Sequence, residues 1–210
     1  MNESEKPAKP KQDLQALASL KRAASTCREC PIGFIAMQTV WGEGPVRAPL
    51  MLVGEQPGDQ EDLQGRPFVG PAGHLLDRAM EELKWPRDKV YVTNAVKHFK
   101  FEMRGKRRMH KTPAQREAAA CLHWLESEIE HVKPLVIVAL GATAARQLMG
   151  HAVGVMAMRG QWLERDDGRR VLITLHPSAL LRVFDEDREA AYEAWLADLK
   201  QAAKFVRKKS

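Results

Sequence analysis

The sequence is poor in cysteine and in long apolar runs, and each shortage excludes a class of protein. Three cysteines among 210 residues cannot form a fully paired set of disulfides. No apolar run reaches the length of a membrane span, and the first residues lack the apolar stretch of a secretory signal. We therefore expect a cytoplasmic protein without membrane contact, with a disordered tail over residues 1–12 and a single domain over residues 13–206.

Positive charge is concentrated in one part of the chain. The formal net charge is +6, and residues 97–111, which we call the basic segment, hold seven lysines and arginines against one acid. The rest of the chain is formally neutral. One basic segment on a balanced body is typical of a protein that binds a polyanion such as nucleic acid, and a solvated charge run is the alternative.

Two of the three cysteines have the spacing of metal ligands. Cys27 and Cys30 form a CxxC pair, and Cys121 lies far along the chain. In a protein without an export signal this pattern favours a metal or cluster site over disulfides. Three unconnected thiols remain the alternative.

Short apolar runs alternate with helical patterns, which predicts an α/β fold. The runs cover residues 49–54, 90–96, 135–141 and 170–175, and the helical patterns cover 13–25, 72–84, 113–131, 142–149 and 186–206. This order predicts a three-layer αβα architecture around a mainly parallel, four-stranded sheet. Residues 54–58, Asn94 and His176 follow three of the runs, at the strand ends where such sheets bind ligands.

Five motifs in this order resemble the uracil-DNA glycosylase superfamily over about residues 26–196. They are residues 54–59 (GEQPGD), 65–73 (GRPFVGPAG), 94–98 (NAVKH), 106–110 (KRRMH) and 176–182 (HPSALLR). The chain is most similar to family 4 enzymes, which carry an iron–sulfur cluster, and Gln56, His98 and residues 106–110 resemble the UdgX type among them. The resemblance implies the fold of that superfamily, excision of uracil from DNA, and action in the bacterial cytosol.

The resemblance also implies a cofactor. It predicts a [4Fe–4S] cluster held by Cys27, Cys30, His98 and Cys121, in which His98 stands where family 4 enzymes have a fourth cysteine. Imidazole replaces thiolate at iron in Rieske centres, which are two-iron clusters. Three cysteines and a histidine also suit tetrahedral zinc, which stays the chemical alternative.

The resemblance assigns roles around a flipped-out base. It implies that Phe68 stacks on uracil, that Asn94 pairs with uracil O4 and N3–H, and that His176 donates to O2 of the departing base. Gln56 and Asp59 are expected to shape the same uracil-binding loop.

The remaining catalytic roles fall to Glu55 and His110. Glu55 is expected to stabilise the oxocarbenium character that develops at C1′. In the UdgX type a loop histidine attacks C1′, so the resemblance predicts that His110 forms a covalent adduct with the abasic sugar and limits the enzyme to a single turnover. An ordinary glycosylase with repeated turnover and a non-catalytic DNA-binding metalloprotein are the alternatives.

The expected partner is uracil-containing DNA, with single strands preferred, and the protein is expected to be a monomer. Phosphates of that DNA fix the register of the bound strand without reading sequence. The residues expected to contact them are Lys106, Arg107, Arg108, Ser178 and Arg182.

Overall fold

The computed structural model describes residues 10–209 of the chain. The strands are β1 (Leu50–Gly54), β2 (Val90–Asn94), β3 (Phe101–Arg104), β4 (Arg107–His110), β5 (Val136–Leu140), β6 (Trp162–Glu164) and β7 (Arg170–Thr174). The helices are α1 (Pro10–Ala24), α2 (Ile32–Ile35), α3 (Asp59–Gln64), α4 (Pro71–Glu82), α5 (Gln115–Val132), α6 (Ala142–Met149), α7 (Val155–Met158), α8 (Pro177–Leu180) and α9 (Asp185–Lys209), with a 3₁₀ turn at Arg87–Lys89.

The central sheet confirms the α/β prediction and corrects its strand count. Five strands lie in the order β2-β1-β5-β7-β6, and the first four are parallel to one another. The fifth strand, β6, pairs antiparallel with the edge of β7. We predicted four strands because β6 has only three residues, too few to produce a recognisable apolar pattern.

Both faces of the sheet are covered, which explains why its parallel strands are apolar throughout. In β1, Met51 and Val53 pack into one hydrophobic cluster with residues of α1, α5 and α6. Leu50 and Leu52 point to the opposite face and pack into a second cluster with residues of α4 and α9. A strand buried on both faces has no polar side to alternate with.

The helices begin and end near the predicted residues. Helix α1 begins at Pro10, so residues 10–12 of the expected tail are helical, and residues 1–9 lie outside the described residues. Within residues 10–209, no helix combines the length and the apolar character needed to cross a membrane.

Part of the basic segment, expected as a loop, folds as an antiparallel hairpin of β3 and β4. We call this element the basic hairpin. Arg104 pairs with Arg107, and Phe101 pairs with His110 at the open end. Gly105 supplies the turn with a φ of 60°, a conformation that glycine adopts without steric cost. The hairpin therefore carries His110 back to the end of the central sheet.

Candidate functional site

The carboxyl ends of three parallel strands surround one pocket, which we call the strand-end pocket. Asn94 ends β2, Glu55 follows β1, and His176 follows β7. The pocket has a volume of about 280 Å³, and its lining includes Asn94, Phe68 and His176 together with His110 from the basic hairpin. The sequence prediction that these residues converge at one sheet edge agrees with this arrangement.

Asn94 presents an unsatisfied amide oxygen at the pocket. Its side chain is buried, and no described residue donates a hydrogen bond to Oδ1. Gly54 leaves room for this amide, because a Cβ built on Gly54 would lie 2.4 Å from Asn94 Oδ1 and 2.6 Å from Phe68 Cζ. Leaving a buried acceptor without a donor costs about 1–3 kcal/mol, so the site favours a ligand that brings an N–H.

Phe68 is held in an unusual backbone conformation. Its φ is 55°, in the left-handed region that bulky residues rarely adopt, and its side chain is buried. Gly73 makes the loop compact, since a Cβ at that position would come within 2.0 Å of the Phe68 carbonyl oxygen. The loop therefore fixes the ring between the sheet end and α4, against Gly54.

Glu61 joins the two loops that border the pocket, and the sequence analysis did not identify it. One carboxylate oxygen accepts from the main-chain N–H groups of Val69 (3.1 Å) and Gly70 (2.8 Å). The other accepts from the N–H of Gly58 (3.0 Å), at the start of α3. A glutamate three residues after a helix start is a known capping signal, which could have identified the second contact but not the first two.

His176 is neutral and has one nitrogen available for the pocket. Burial lowers the pKa of His176 to about 4, and the charges of His110 and Arg182 act in the same direction. The main-chain N–H of Ser178 donates to Nδ1 (3.2 Å), and Ser178 Oγ lies 2.8 Å from the same atom. Because Nδ1 accepts, the ring proton is on Nε2. The imidazole ring stacks on Phe68 with centroids 5.8 Å apart.

Glu55 and His110 come from different elements and meet beside the pocket. His110 Nε2 lies 3.4 Å from Glu55 Oε1. The hydroxyl of Thr143, at the start of α6, donates to Glu55 Oε2 (2.6 Å). Thr143 fixes the carboxylate, and the sequence gave no signal for this contact because the two residues are 88 positions apart.

A buried ion pair lies directly behind Asn94. Lys97 Nζ donates to Glu128 Oε2 (2.6 Å), to Thr93 Oγ1 (2.8 Å) and to the Asn94 carbonyl (2.7 Å), and both charged side chains are fully buried. Glu128 lies on α5, the helix that also carries Cys121. The Lys97–Glu128 pair thus connects the end of β2 to the helix that carries a predicted metal ligand.

Gln56 attaches the basic hairpin to the sheet. Its Nε2 donates to the carbonyls of Lys100 (3.2 Å) and Lys111 (3.1 Å), on the two sides of the hairpin, and its Oε1 accepts from the Lys100 N–H (3.0 Å). Gln56 lines the pocket as predicted, but its amide is engaged by the hairpin.

Arg108 makes a second attachment. Its guanidinium contacts Asp59 Oδ1 (2.7 Å) and Asp62 Oδ2 (2.5 Å) in α3, and Asp62 is fully buried. The same group lies over the rings of Phe99 and Phe101, at 5.5 and 5.2 Å from their centroids. We expected Arg108 to contact DNA and Asp59 to shape the uracil-binding loop. In the structure the two side chains form an ion pair with each other.

The other predicted DNA contacts are on the surface. Lys106 and Arg107 are exposed and make no ion pair within residues 10–209. Arg182 is exposed after α8, while Ser178 lines the pocket and orients His176.

The three cysteines are free and buried. A hydrogen bond from the Cys121 thiol lowers the pKa of Cys30 to about 6, and the same contact raises the pKa of Cys121. Trp124 Nε1 donates to Cys27 Sγ (3.4 Å). A thiolate with such donors is suited to bind metal.

His98 has a nitrogen that lacks a partner. Thr39 Oγ1 donates to the Ala24 carbonyl (2.7 Å), so it accepts from His98 Nε2 (2.9 Å). His98 Nδ1 is then an acceptor, and no described residue donates to it. Burial lowers the pKa of His98 to about 4, and the charge of Arg28 adds to this effect. A neutral ring oriented by a second hydrogen bond is typical of a metal ligand.

These side chains do not form a site for one ion. Within the described part of the chain, no group of three or more histidines, cysteines, aspartates or glutamates could hold a single metal ion. Zinc would need all four ligands at 2.0–2.3 Å from one point. A cluster distributes its iron atoms, and its ligands stand farther apart.

Comparisons with known proteins agree with this geometry. The profile of the uracil DNA glycosylase superfamily matches residues 41–200. A type-4 uracil-DNA glycosylase of Thermotoga maritima is 38% identical, over 87% of this chain and 90% of its own. Another from Pyrobaculum aerophilum is 36% identical, over 81% of this chain and 85% of its own. The chain belongs to the uracil-DNA glycosylase superfamily.

Proposed function

We propose that the protein removes uracil from DNA by hydrolysing the N-glycosidic bond. The observation that carries this proposal is the strand-end pocket, in which the unsatisfied amide of Asn94 faces the same space as Phe68 and His176. The names of the relatives, type-4 uracil-DNA glycosylases, support the same activity.

The pocket suits uracil better than cytosine. Uracil N3–H can donate to Asn94 Oδ1, and the amide N–H₂ can donate to uracil O4. Cytosine has an acceptor at N3 and a donor at N4, so both contacts would be unfavourable. The buried position of Asn94 makes this mismatch costly, because the unpaired groups could not form hydrogen bonds with water instead.

Cleavage moves the bonding electron pair from C1′–N1 onto the base. Negative charge then develops at uracil O2, where the Nε2–H of the neutral His176 can donate. Positive charge develops at C1′, near the carboxylate of Glu55 that Thr143 holds. Water attacks C1′ and loses a proton, and the departing uracil anion takes up a proton at N1, which gives an abasic sugar and free uracil.

We further propose that Cys27, Cys30, His98 and Cys121 hold a [4Fe–4S] cluster. The partnerless Nδ1 of His98 and the three buried thiols support this assignment. The cluster would join α1 and the segment before α2 to β2 and α5, so it has a structural role. A visible absorption band with about four iron atoms per chain is expected, and a colourless protein that contains zinc would contradict the assignment.

Covalent capture by His110 is a second candidate. The relatives support ordinary turnover better, so the capture expected from the sequence is no longer the preferred outcome. The observation that favours it is the 3.4 Å contact between His110 Nε2 and Glu55. In that route the imidazole lone pair bonds to C1′, uracil leaves with the C1′–N1 electrons, and the imidazolium loses its ring proton to water.

The first experiment measures free uracil from a single-stranded oligonucleotide that contains one uracil. We expect release from this strand and none from the same strand with thymine or cytosine. Asn94→Ala should lower release, while Gln38→Ala, which removes an amide outside the pocket, should not. A wild-type protein that binds the strand but releases no uracil would overturn the proposed function.

The second experiment separates turnover from capture. Uracil in excess of protein, with no band shift on a denaturing gel, is the result expected for hydrolysis. A shifted band that survives heat and SDS, with one uracil per protein, supports capture, and His110→Ser should abolish it. His123→Ser is a matched control, because His123 is similarly exposed and lies 3.5 Å from the carboxylate of Glu29.

A further inference from the structure

A groove on the outer side of the basic hairpin is apolar although it is open to solvent. It has a volume of about 680 Å³ and is formed by the hairpin, the end of α2 and helix α3. Its apolar lining is Ile35, Met37, Leu63, Phe101, Met103 and Met109. The exposed fraction reaches 62% at Met37 and 58% at Met103, and exposed apolar surface gathered in one place marks an interaction site.

The rim of this groove is cationic. Lys106 and Arg107 line it, and neither forms an ion pair within the described chain. The acidic groups nearby do not outweigh these two cations, since Asp59 and Asp62 share the charge of Arg108 and Glu102 contacts Lys111 (2.8 Å). The unbalanced charge at the groove is therefore positive, which complements a polyanion.

The groove adjoins the strand-end pocket. Asp59 lines both, and strand β4 carries Arg107 and Met109 at the groove and His110 at the pocket. A DNA strand whose uracil occupies the pocket would thus continue along β4. Four strand residues span about 13 Å, so the neighbouring nucleotides come within reach of the groove.

We propose that this groove binds the nucleotides on one side of the uracil, as a single strand. Their bases lie on the methionines and leucine, and their phosphates contact Lys106 and Arg107. The proposal rests on the proposed function and names the form of its substrate. A duplex would hide the base faces, whereas unpaired bases can cover apolar surface while their backbone follows the cations. An acidic, apolar protein segment would suit the same chemistry, but only a DNA strand would also place a uracil in the adjoining pocket.

The test compares three single-stranded substrates that contain one uracil. One is a trinucleotide with central uracil, one adds ten nucleotides on the 5′ side only, and one adds ten on the 3′ side only. The measured quantity is the second-order rate constant of uracil release under single-turnover conditions. We expect one flank, and not the other, to raise this constant above that of the trinucleotide.

The variant Met37→Gln/Met103→Gln should lower the rate gain of the flanked substrate over the trinucleotide about tenfold, which corresponds to about 1.4 kcal/mol. Met156→Gln is the matched control, because Met156 is also exposed but lies on α7, outside the groove. Equal melting temperatures of the two variants would exclude misfolding as the cause.

The outcomes separate the two proposals. If the double variant keeps the full advantage of the flank, the groove does not bind DNA, and a protein partner becomes the better assignment. If the double variant lowers the rate constant equally for all three substrates, the effect is not local to the groove, and the groove proposal also fails. Absence of uracil release from every substrate would instead defeat the proposed function.

Discussion

The strand-end pocket and the basic hairpin face each other, but they are built in opposite ways. Pocket groups are fixed from within the domain: Glu61 holds two loops, and Lys97 and Glu128 form a buried pair behind Asn94. The hairpin is a two-stranded ribbon attached chiefly through Gln56 and Arg108. Base selection and bond cleavage should therefore depend on packing, whereas strand affinity should depend on surface charge and apolar contact.

The largest expected effect follows from removing the pocket donor. His176→Ala should lower the maximal rate of uracil release by about 10²–10³-fold, because a positioned donor to developing charge is lost. Strand affinity should change little, which can be checked by fluorescence anisotropy with a uracil-free strand. His151→Ala, on an exposed loop, serves as the control. Equal losses in rate and in affinity would remove the distinction between the two regions.

Crowding the pocket should have the next largest effect. Gly54→Ala places a methyl group against both Asn94 and Phe68, and a misplacement of about 1 Å can cost about 10²-fold in rate. Gly154→Ala is the matched control, because a Cβ there meets nothing within 4 Å. We expect uracil release to fall for the first variant only. Near-normal release by Gly54→Ala would mean that uracil does not bind between the amide of Asn94 and the ring of Phe68 as proposed.

Releasing the hairpin should cost stability. Arg108→Gln leaves the buried Asp62 without its cation, and we expect the free energy of unfolding to fall by about 1–3 kcal/mol. Arg107→Gln removes a neighbouring arginine that forms no ion pair with any described residue, so urea unfolding should separate the two variants. Identical midpoints would show that the contact with α3 is not what holds the hairpin.

The smallest effect concerns the exposed cations. Lys106→Gln should reduce the salt dependence of binding to a single strand, by about 0.7 in the slope of log K against log salt for each lost phosphate contact. Lys21→Gln, on the exposed face of α1, should leave the slope unchanged. An unchanged slope for Lys106→Gln would place the strand elsewhere.

The sequence predicted the central sheet well for a physical reason. Strands such as β5 are buried on both faces and read as unbroken apolar runs, and their carboxyl ends identify the site. The basic hairpin was harder to predict, because most of its residues are exposed. Its most buried charged residue, Arg108, contacts α3 instead of solvent. The contacts of Gln56 and Thr143 could not be predicted, since each joins segments more than 40 residues apart.

The buried Lys97–Glu128 pair determines how the protein should respond to oxidation. Glu128 lies on α5 with Cys121, and the Lys97 ammonium that it binds donates to the Asn94 carbonyl. Oxidative damage to the thiols would displace the segment that selects the base, but would leave the surface cations intact. A stored sample should therefore continue to bind DNA after it has stopped distinguishing uracil, so binding assays alone would overstate its quality.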